Sequence, residues 1–157
     1  MTLAMWIGLS REPSRESVER ALARHLPGVS VWWGDLADPE FRGDITLAIE
    51  PNPSEFPFVI NGWAIGGRDR YQYELGLRLA RELCVDLDCS TICDGSHHGP
   101  TKSPYWSIVW QQGIPYLADD CRTLFADCQD DMLLEERQQL GPVRLLHVIE
   151  VELGPLI

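Results

Sequence analysis

Short apolar runs, each ended by turn-forming residues, limit most strongly what this chain can fold into. The opening run, 3–9, carries no charge and is followed by the turn-forming stretch 10–13. A helix that spans a bilayer needs about 20 apolar residues in a row, so this run predicts a buried β-strand instead. The run also lacks a basic leading region and a clear cleavage site. We therefore expect neither a signal peptide nor a membrane span.

Other short apolar runs indicate that strands recur along the whole chain. Most are bounded by glycine, proline or asparagine, as strands commonly are. The expected strands cover 3–9, 29–33, 45–49, 58–65, 90–93, 105–110, 114–118 and 143–153. We expect the fourth to be interrupted or turned at Asn61-Gly62. The sixth and seventh are expected to form a β-hairpin, and the last to have one polar face.

Three helices are expected between these strands. In the first two, valine or leucine recurs every four residues and forms one apolar stripe. Ser14 is the expected N-cap of the first helix, which ends at Pro27-Gly28, and Asp69 leads the second after Gly66-Gly67. The stripes consist of Val18, Leu22 and Leu26 in the first helix and Leu75, Leu79 and Leu83 in the second. A third helix is expected within 123–140.

Several connections between these elements are of hairpin length, and a repeated strand–helix–strand alternation is missing. That order argues against a doubly wound fold and favours helices layered on a largely antiparallel sheet. We therefore predict an α+β protein with about seven or eight strands and two or three helices. A chain of 157 residues has the size of one domain, so residues 1–157 are expected to form a single domain.

Acidic residues outnumber basic ones by 24 to 13, which gives a formal net charge of −11. Because nucleic acid is bound by basic surfaces, we expect no nucleic-acid partner. Seven acids lie within 119–136, where Arg122 is the only basic residue: Asp119, Asp120, Asp127, Asp130, Asp131, Glu135 and Glu136. Two interpretations remain open. The acids form either an ordinary solvated face or a surface that attracts and orients a basic protein partner.

The chain contains six tryptophans, and two of them, Trp32 and Trp33, are consecutive in an expected strand. Successive side chains of a strand point to opposite faces, so both can enter a core only if the sheet is covered twice. Tryptophan either fills a wide core beneath the helices or stands outside as a contact anchor. We take Trp33 as the candidate anchor for a partner.

The five cysteines, all in the second half of the chain, raise the question of a metal site. Cys84, Cys89, Cys93 and His97 are residue types that bind Zn²⁺. On an extended strand, however, Cys89 and Cys93 would lie about 13 Å apart, and the sequence has no tight C-x-x-C pair. We expect no metal and no cofactor. An odd number of thiols is typical of a reduced, cytoplasmic protein.

The stretch Gly95-Ser96-His97-His98-Gly99 is superficially similar to a nucleophile elbow, G-x-S-x-G. The serine occupies the wrong position and no helix follows, so we assign no catalytic residue and expect a solvated loop. Dinucleotide-binding, P-loop and H-E-x-x-H motifs do not occur in the sequence. The alternative function is small-ligand binding or hydrolase-like catalysis in a pocket near Asp94, His97, His98 and Tyr105.

Two stretches between residues 75 and 120 resemble a known group of proteins. They read LGLRLARELCVDLDCSTICDG, at 75–95, and PYWSIVWQQGIPYLADD, at 104–120. Together they predict a helix with an L-A-x-x-L core, then a short strand, then an aromatic hairpin that ends in acids. This order resembles that of small bacterial immunity proteins, which neutralise polymorphic or contact-delivered toxins. The resemblance implies a non-catalytic cytoplasmic protein that binds and blocks a basic toxin or enzyme domain. It carries over no individual binding residue.

Overall fold

The central element of the fold is one eight-stranded sheet. The computed structural model describes residues 3–34, 44–64 and 69–153. The strands are β1 (Leu3–Leu9), β2 (Val31–Trp33), β3 (Ile45–Pro51), β4 (Phe58–Ala64), β5 (Thr91–Asp94), β6 (Trp106–Gln111), β7 (Ile114–Asp119) and β8 (Arg144–Val148). Their order is β2-β3-β4-β1-β5-β6-β7-β8, and only β2 and β3 pair in parallel. The α+β prediction is confirmed, and the sheet has eight strands where about seven or eight were expected.

Four helices lie in the described part of the chain: α1 (Arg15–His25), α2 (Asp69–Leu87), α3 (Leu124–Asp127) and α4 (Leu134–Arg137). The first helix is capped as predicted, because the Ser14 hydroxyl accepts a 3.1 Å hydrogen bond from the Ser17 backbone N–H. The single helix predicted within 123–140 is wrong. The chain leaves the helical conformation at Cys128, and neither α3 nor α4 buries a residue. Without a buried apolar stripe, a longer helix has little to stabilise it.

Helices α1 and α2 pack together on one face of the sheet and form the main core. Thr91 of β5 donates from Oγ1 to the Ala80 carbonyl of α2 at 2.7 Å, which satisfies a polar group inside this interface. Fully buried side chains of this core include Ile7, Leu9, Leu22, Leu47, Ile60, Leu75, Leu79 and Leu83. Burying a side chain of this size contributes about 1.5–3 kcal/mol, so this face is the main source of stability.

A smaller apolar cluster covers the opposite face. Its members are Phe56, Ile92, Val109 and Ala118, with Trp6, Phe125 and Val143 packed against them. The rings of Trp6 and Phe125 lie 5.5 Å apart and join β1 to α3. Because both faces are covered, the consecutive residues Ile108 and Val109 of β6 are both buried.

Strand β4 runs through Asn61-Gly62 without a break, so the interruption expected there is wrong. Gly62 pairs with Met5 on one side and with Leu47 on the other. A Cβ atom at Gly62 would lie 3.0–3.1 Å from atoms of both side chains. The glycine is therefore a packing requirement of a central strand, not a turn signal. The helix start predicted after Gly66-Gly67 lies partly outside the described residues, and α2 begins at Asp69 as expected.

The closing strand is shorter and more exposed than predicted. All five residues of β8 are exposed, so a strand over 143–153 with one polar and one buried face is wrong. Among the described strands β8 pairs with β7 alone, which makes it an edge strand. Beyond it, Ile149, Val151 and Leu153 pack against the main core and do not extend the sheet.

The predicted hairpin of β6 and β7 is confirmed, and its turn explains its sequence. Gln112 and Gly113 have φ angles of 51° and 76°, as a type I′ turn requires at both central positions. This hairpin brings Asp119, at the end of β7, opposite Trp106 at the start of β6. The acids that follow β7 therefore lie at the same end of the sheet as the loop that precedes β6.

We predict that Gly95→Ala destabilises the fold. Gly95 donates its N–H to the Trp106 carbonyl, and a Cβ atom there would lie 2.6 Å from the backbone carbon of Ser107. The free energy of unfolding should fall by about 1–3 kcal/mol in urea titrations. Gly141→Ala is the matched control, because a Cβ atom there has no neighbour within 4 Å. A loss of the same size in both variants would contradict the prediction.

Candidate functional site

The structure divides the seven predicted partner-binding acids into two groups. Asp119, Asp120 and Asp127 are half-buried or buried and influence one another's charge; we term them the acidic cluster. Asp130, Asp131, Glu135 and Glu136 are exposed, and they surround the stretch from Met132 to Leu134. We term residues 130–136 the acid–leucine segment. The two groups are continuous in sequence but differ in accessibility.

Within the acidic cluster, two carboxylates have internal partners. Asp119 accepts hydrogen bonds from the Cys121 N–H at 2.9 Å and from the Arg144 guanidinium at 3.0 Å. Burial opposes ionisation, but these two donors hold the pKa of Asp119 below its usual value. Asp127 accepts from the Arg122 N–H at the base of α3. These contacts fix the connection between β7 and α3.

The third member of the acidic cluster, Asp120, is only 3% exposed. Its burial, together with the charges of Asp119, Asp127 and Asp94, raises its pKa to about 7, and Arg144 offsets part of this effect. Its backbone N–H donates to the Tyr105 carbonyl at 3.0 Å. Asp120 is therefore only partly ionised near neutral pH and offers little surface for contact.

The acid–leucine segment combines exposed acids with exposed leucines. Leu133 is 65% exposed and Leu134 is 70% exposed, although both are large apolar side chains. The single turn of α4 holds this stretch through the Arg137 N–H, which donates to the Leu133 carbonyl at 3.0 Å. Sequence reasoning selected the acids and missed the leucines, which the pattern D-D-M-L-L-E-E had placed among them.

Trp33, the candidate anchor, lies at the opposite edge of the sheet. Six strand spacings separate β2 from β7, which is about 29 Å at 4.8 Å per strand. The Trp33 indole donates from Nε1 to Glu19 at 2.7 Å, and the Arg15 guanidinium lies over its ring at 5.4 Å. It also lines a cavity of about 460 Å³ together with Trp63. The structure thus does not bring Trp33 together with the acids.

The thiols and imidazoles that resembled zinc ligands do not converge. Cys84 and Cys93 are buried, and burial raises the pKa of the Cys93 thiol to about 12. Burial also raises the pKa of Cys89 to about 11. In the part of the chain that the structure describes, no group of three or more potential ligands is arranged to hold a metal ion. Thiols with such pKa values are poor nucleophiles at neutral pH.

Both histidines of the loop after β5 contact Tyr73, a residue that sequence reasoning missed. The Tyr73 ring stacks on His97 at 4.2 Å between ring centres and on His98 at 5.6 Å. Its hydroxyl accepts from the His97 N–H at 3.2 Å and lies 2.6 Å from His98 Nδ1. Burial lowers the pKa of His98 and raises that of Tyr73. The available signal was that Tyr73 precedes the buried Leu77 by one helical turn.

Beside this stack lies a second cavity, of about 610 Å³, which we term the Trp6 cavity. It is lined by Trp6, Asp94, Ser96, His97, Lys102, Ser103 and Pro104. The Asp94 carboxylate accepts from the Ser96 N–H at 2.9 Å, which holds the start of the loop. Of the residues predicted to form a pocket, Asp94 and His97 line the cavity. His98 is engaged by Tyr73 instead, and Tyr105 is not among the lining residues.

Comparisons of this chain with protein-family models, with curated proteins and with solved structures gave no match. Within residues 3–34, 44–64 and 69–153, no helix has both the length and the hydropathy that a bilayer crossing requires. The acid–leucine segment and the Trp6 cavity carry the contacts, burial and charge that bear on function.

We predict that Asp120→Asn stabilises the protein in a pH-dependent way. The folded-state pKa of about 7 exceeds the ordinary value of 3.8, so the folded state holds a proton that the unfolded state releases. Stability is therefore lost as pH rises from about 4 to 7, and an asparagine avoids that loss. At pH 8 the variant should unfold with a free energy about 1–4 kcal/mol higher than the parent, and at pH 4 the difference should be much smaller.

Asp119→Asn is the control for this experiment and should behave in the opposite way. Its lowered pKa contributes stability at neutral pH that disappears as the carboxylate is protonated in acid. Urea titrations at several pH values would measure both variants. A stabilisation by Asp120→Asn that is constant from pH 4 to pH 8 would show that its charge is not responsible.

Proposed function

We propose that this chain is a non-catalytic binding protein that uses the acid–leucine segment to hold a basic protein partner. The observation that carries the proposal is the exposure of Leu133 and Leu134 between two pairs of exposed acids. Simple solvation accounts for acids on a surface but not for two adjacent leucines that contact water. An exposed apolar patch with a charged rim is a common composition for a protein-binding surface.

The two parts of this segment would contribute differently to binding. Four clustered negative charges attract a basic surface over several ångströms and raise the rate of association. Leucines act only on contact, where burial of their side chains slows dissociation. The edge strand β8 carries further exposed apolar side chains, at Leu145, Leu146 and Val148. These also suit a protein partner better than a small ligand.

The partner that fits this chemistry is a toxin or enzyme domain with a basic surface, and the chain would act as its immunity protein or inhibitor. Such a role requires no catalytic residue. Its expected location is the cytoplasm, and five free cysteines are compatible with a reducing compartment. The acidic cluster would fix the connection between β7 and α3, which precedes the acid–leucine segment in the chain.

A hydrolase-like function in the Trp6 cavity has less support. Cys93 is buried, which raises the pKa of its thiol and disfavours the nucleophilic thiolate. The hydroxyl bonded to His98 belongs to Tyr73, whose own pKa is raised by burial. An activated nucleophile beside a general base is what a hydrolase of this kind needs. Binding of a small ligand in the Trp6 cavity, by contrast, requires no activated nucleophile.

We predict that reversing the charge of Asp130, Asp131, Glu135 and Glu136 to lysine slows association with the partner. The full chain, tagged, would capture the partner from the native host for identification by mass spectrometry. The association rate, measured by surface plasmon resonance at low salt, should then fall about tenfold or more. The difference between variant and parent should shrink as salt is raised, because screening weakens the attraction.

A matched control reverses four exposed acids elsewhere: Glu12, Glu16, Glu50 and Glu152. Both variants carry the same net charge, so the control separates local charge from total charge. It should keep most of the parent's association rate. If the first variant binds at the parent's rate at every salt concentration, or if both variants lose the same amount, the acid–leucine segment is not the binding surface.

We predict that the double variant Leu133→Ser and Leu134→Ser accelerates dissociation of the complex. The side chains are already exposed, so the free energy of unfolding should change by less than about 0.5 kcal/mol. Loss of the apolar contacts should raise the dissociation rate about 10- to 100-fold and change the association rate little. Val85→Ser is the control, because Val85 is also exposed but lies on α2. An unchanged dissociation rate in the double variant would refute a contact role for the leucines.

A further inference from the structure

We propose that the Trp6 cavity binds a small zwitterion, an organic molecule with one cationic and one anionic group. The cavity presents a carboxylate, an ammonium group, an imidazole and two serine hydroxyls around one indole. This second activity goes beyond the proposed function, since partner binding requires only the acid–leucine segment. The two surfaces involve different residues, so each can fail or succeed without the other.

The wall of the cavity is held in place before any ligand arrives. Tyr73 fixes the loop through its hydrogen bonds to His97 and His98. On the far side of the loop, Gly99 lies against the Trp106 ring so closely that a Cβ atom would be 2.1 Å from it. Trp106 also donates from Nε1 to the Thr101 hydroxyl at 3.1 Å. A preformed wall reduces the conformational entropy that the protein loses when a ligand binds.

Asp94 provides the subsite for the cationic group of the ligand. One carboxylate oxygen accepts from the Ser96 N–H, and a carboxylate can accept several further hydrogen bonds. Burial is the main cause of the raised pKa values of Tyr73, Cys93 and Asp120, and the negative charge of Asp94 raises each of them further. An ammonium or guanidinium group placed in the cavity would be attracted to this carboxylate.

Lys102 provides the subsite for the anionic group of the ligand. It is the only lysine in the chain, and it lines the cavity together with the exposed imidazole of His97. None of the ion pairs between described residues joins Lys102 to Asp94. The two opposite charges therefore face the same cavity without cancelling each other in a direct contact. A carboxylate of the ligand can be held by Lys102 while the hydroxyls of the serines satisfy its remaining oxygen.

The opposed charges select a zwitterion over a simple ion. A plain amine would be attracted by Asp94 but repelled by Lys102, and a plain carboxylate would meet the reverse combination. Trp6 and Pro104 supply apolar surface for the body of the ligand. The volume of about 610 Å³ falls within the range of about 300–1,000 Å³ that small-molecule sites occupy.

The test titrates the full chain by calorimetry with a series of ω-amino acids, from glycine to 6-aminohexanoate. The series varies the distance between the two charges, and n-alkylamines and n-alkanoates of equal length serve as singly charged controls. We expect at least one member of the series to bind about tenfold more tightly than either control of the same length. If no member binds, or if an alkylamine binds as tightly as the amino acid, the proposal is wrong.

Two substitutions then assign the subsites. Asp94→Asn and Lys102→Met should each weaken the affinity for the best zwitterion about tenfold or more. Because Lys102 is exposed, Lys102→Met should leave the fold intact. Glu50→Gln is the matched control, because Glu50 lines the other cavity, and it should bind like the parent. Unchanged affinity in both Asp94→Asn and Lys102→Met would overturn the assignment. Failure here leaves partner binding by the acid–leucine segment unaffected, and capture of the partner tests that function separately.

Discussion

The packing of α2 against β1 and β5 is the contact on which the loop after β5 and the Trp6 cavity depend. Leucine rows of α2 are buried on these strands, and the hydrogen bond from Thr91 to Ala80 sets their relative position. Tyr73, near the start of α2, then reaches the loop after β5 and bonds to His98 at 2.6 Å. A shift of α2 by one residue would move Tyr73 by about 1.5 Å and break that bond. The helix therefore holds one wall of the Trp6 cavity.

Elements encoded by local patterns could be predicted from the sequence. The recurrence of leucine every four residues predicts α2, and the Ser14 cap predicts the start of α1. The Gln112-Gly113 turn predicts the hairpin of β6 and β7. The failures have non-local causes. Gly62 lies between Met5 and Leu47 of neighbouring strands, a reason for glycine that no adjacent residue reveals. Residues 123–140 carry helix-forming residues, but neither α3 nor α4 buries an apolar stripe, so only two short turns form.

The candidate site was predictable only where its residues are neighbours in sequence. The exposed acids of residues 130–136 are such a case, and so are Asp94 and His97. The separation of Trp33 from the acids depends on the strand order, which places β2 and β7 near opposite edges of the sheet. The burial of Asp120 is accompanied by a hydrogen bond from its N–H to the carbonyl of Tyr105, fifteen residues earlier in the chain. In each case the deciding contacts join residues far apart in the chain, where a single sequence contains no pairing signal.

Asp94 acts electrostatically on one member of the acidic cluster, Asp120. It lines the Trp6 cavity, and its negative charge contributes to the raised pKa of Asp120, which is about 7. A cationic group at Asp94 would offset that charge and favour the ionised form of Asp120. The carbonyl of Asp120 accepts a 2.6 Å hydrogen bond from Thr123, the residue that caps α3. The charge in the cavity thus acts on the residue that precedes α3, whereas the acid–leucine segment, which begins after α3, is a separate surface.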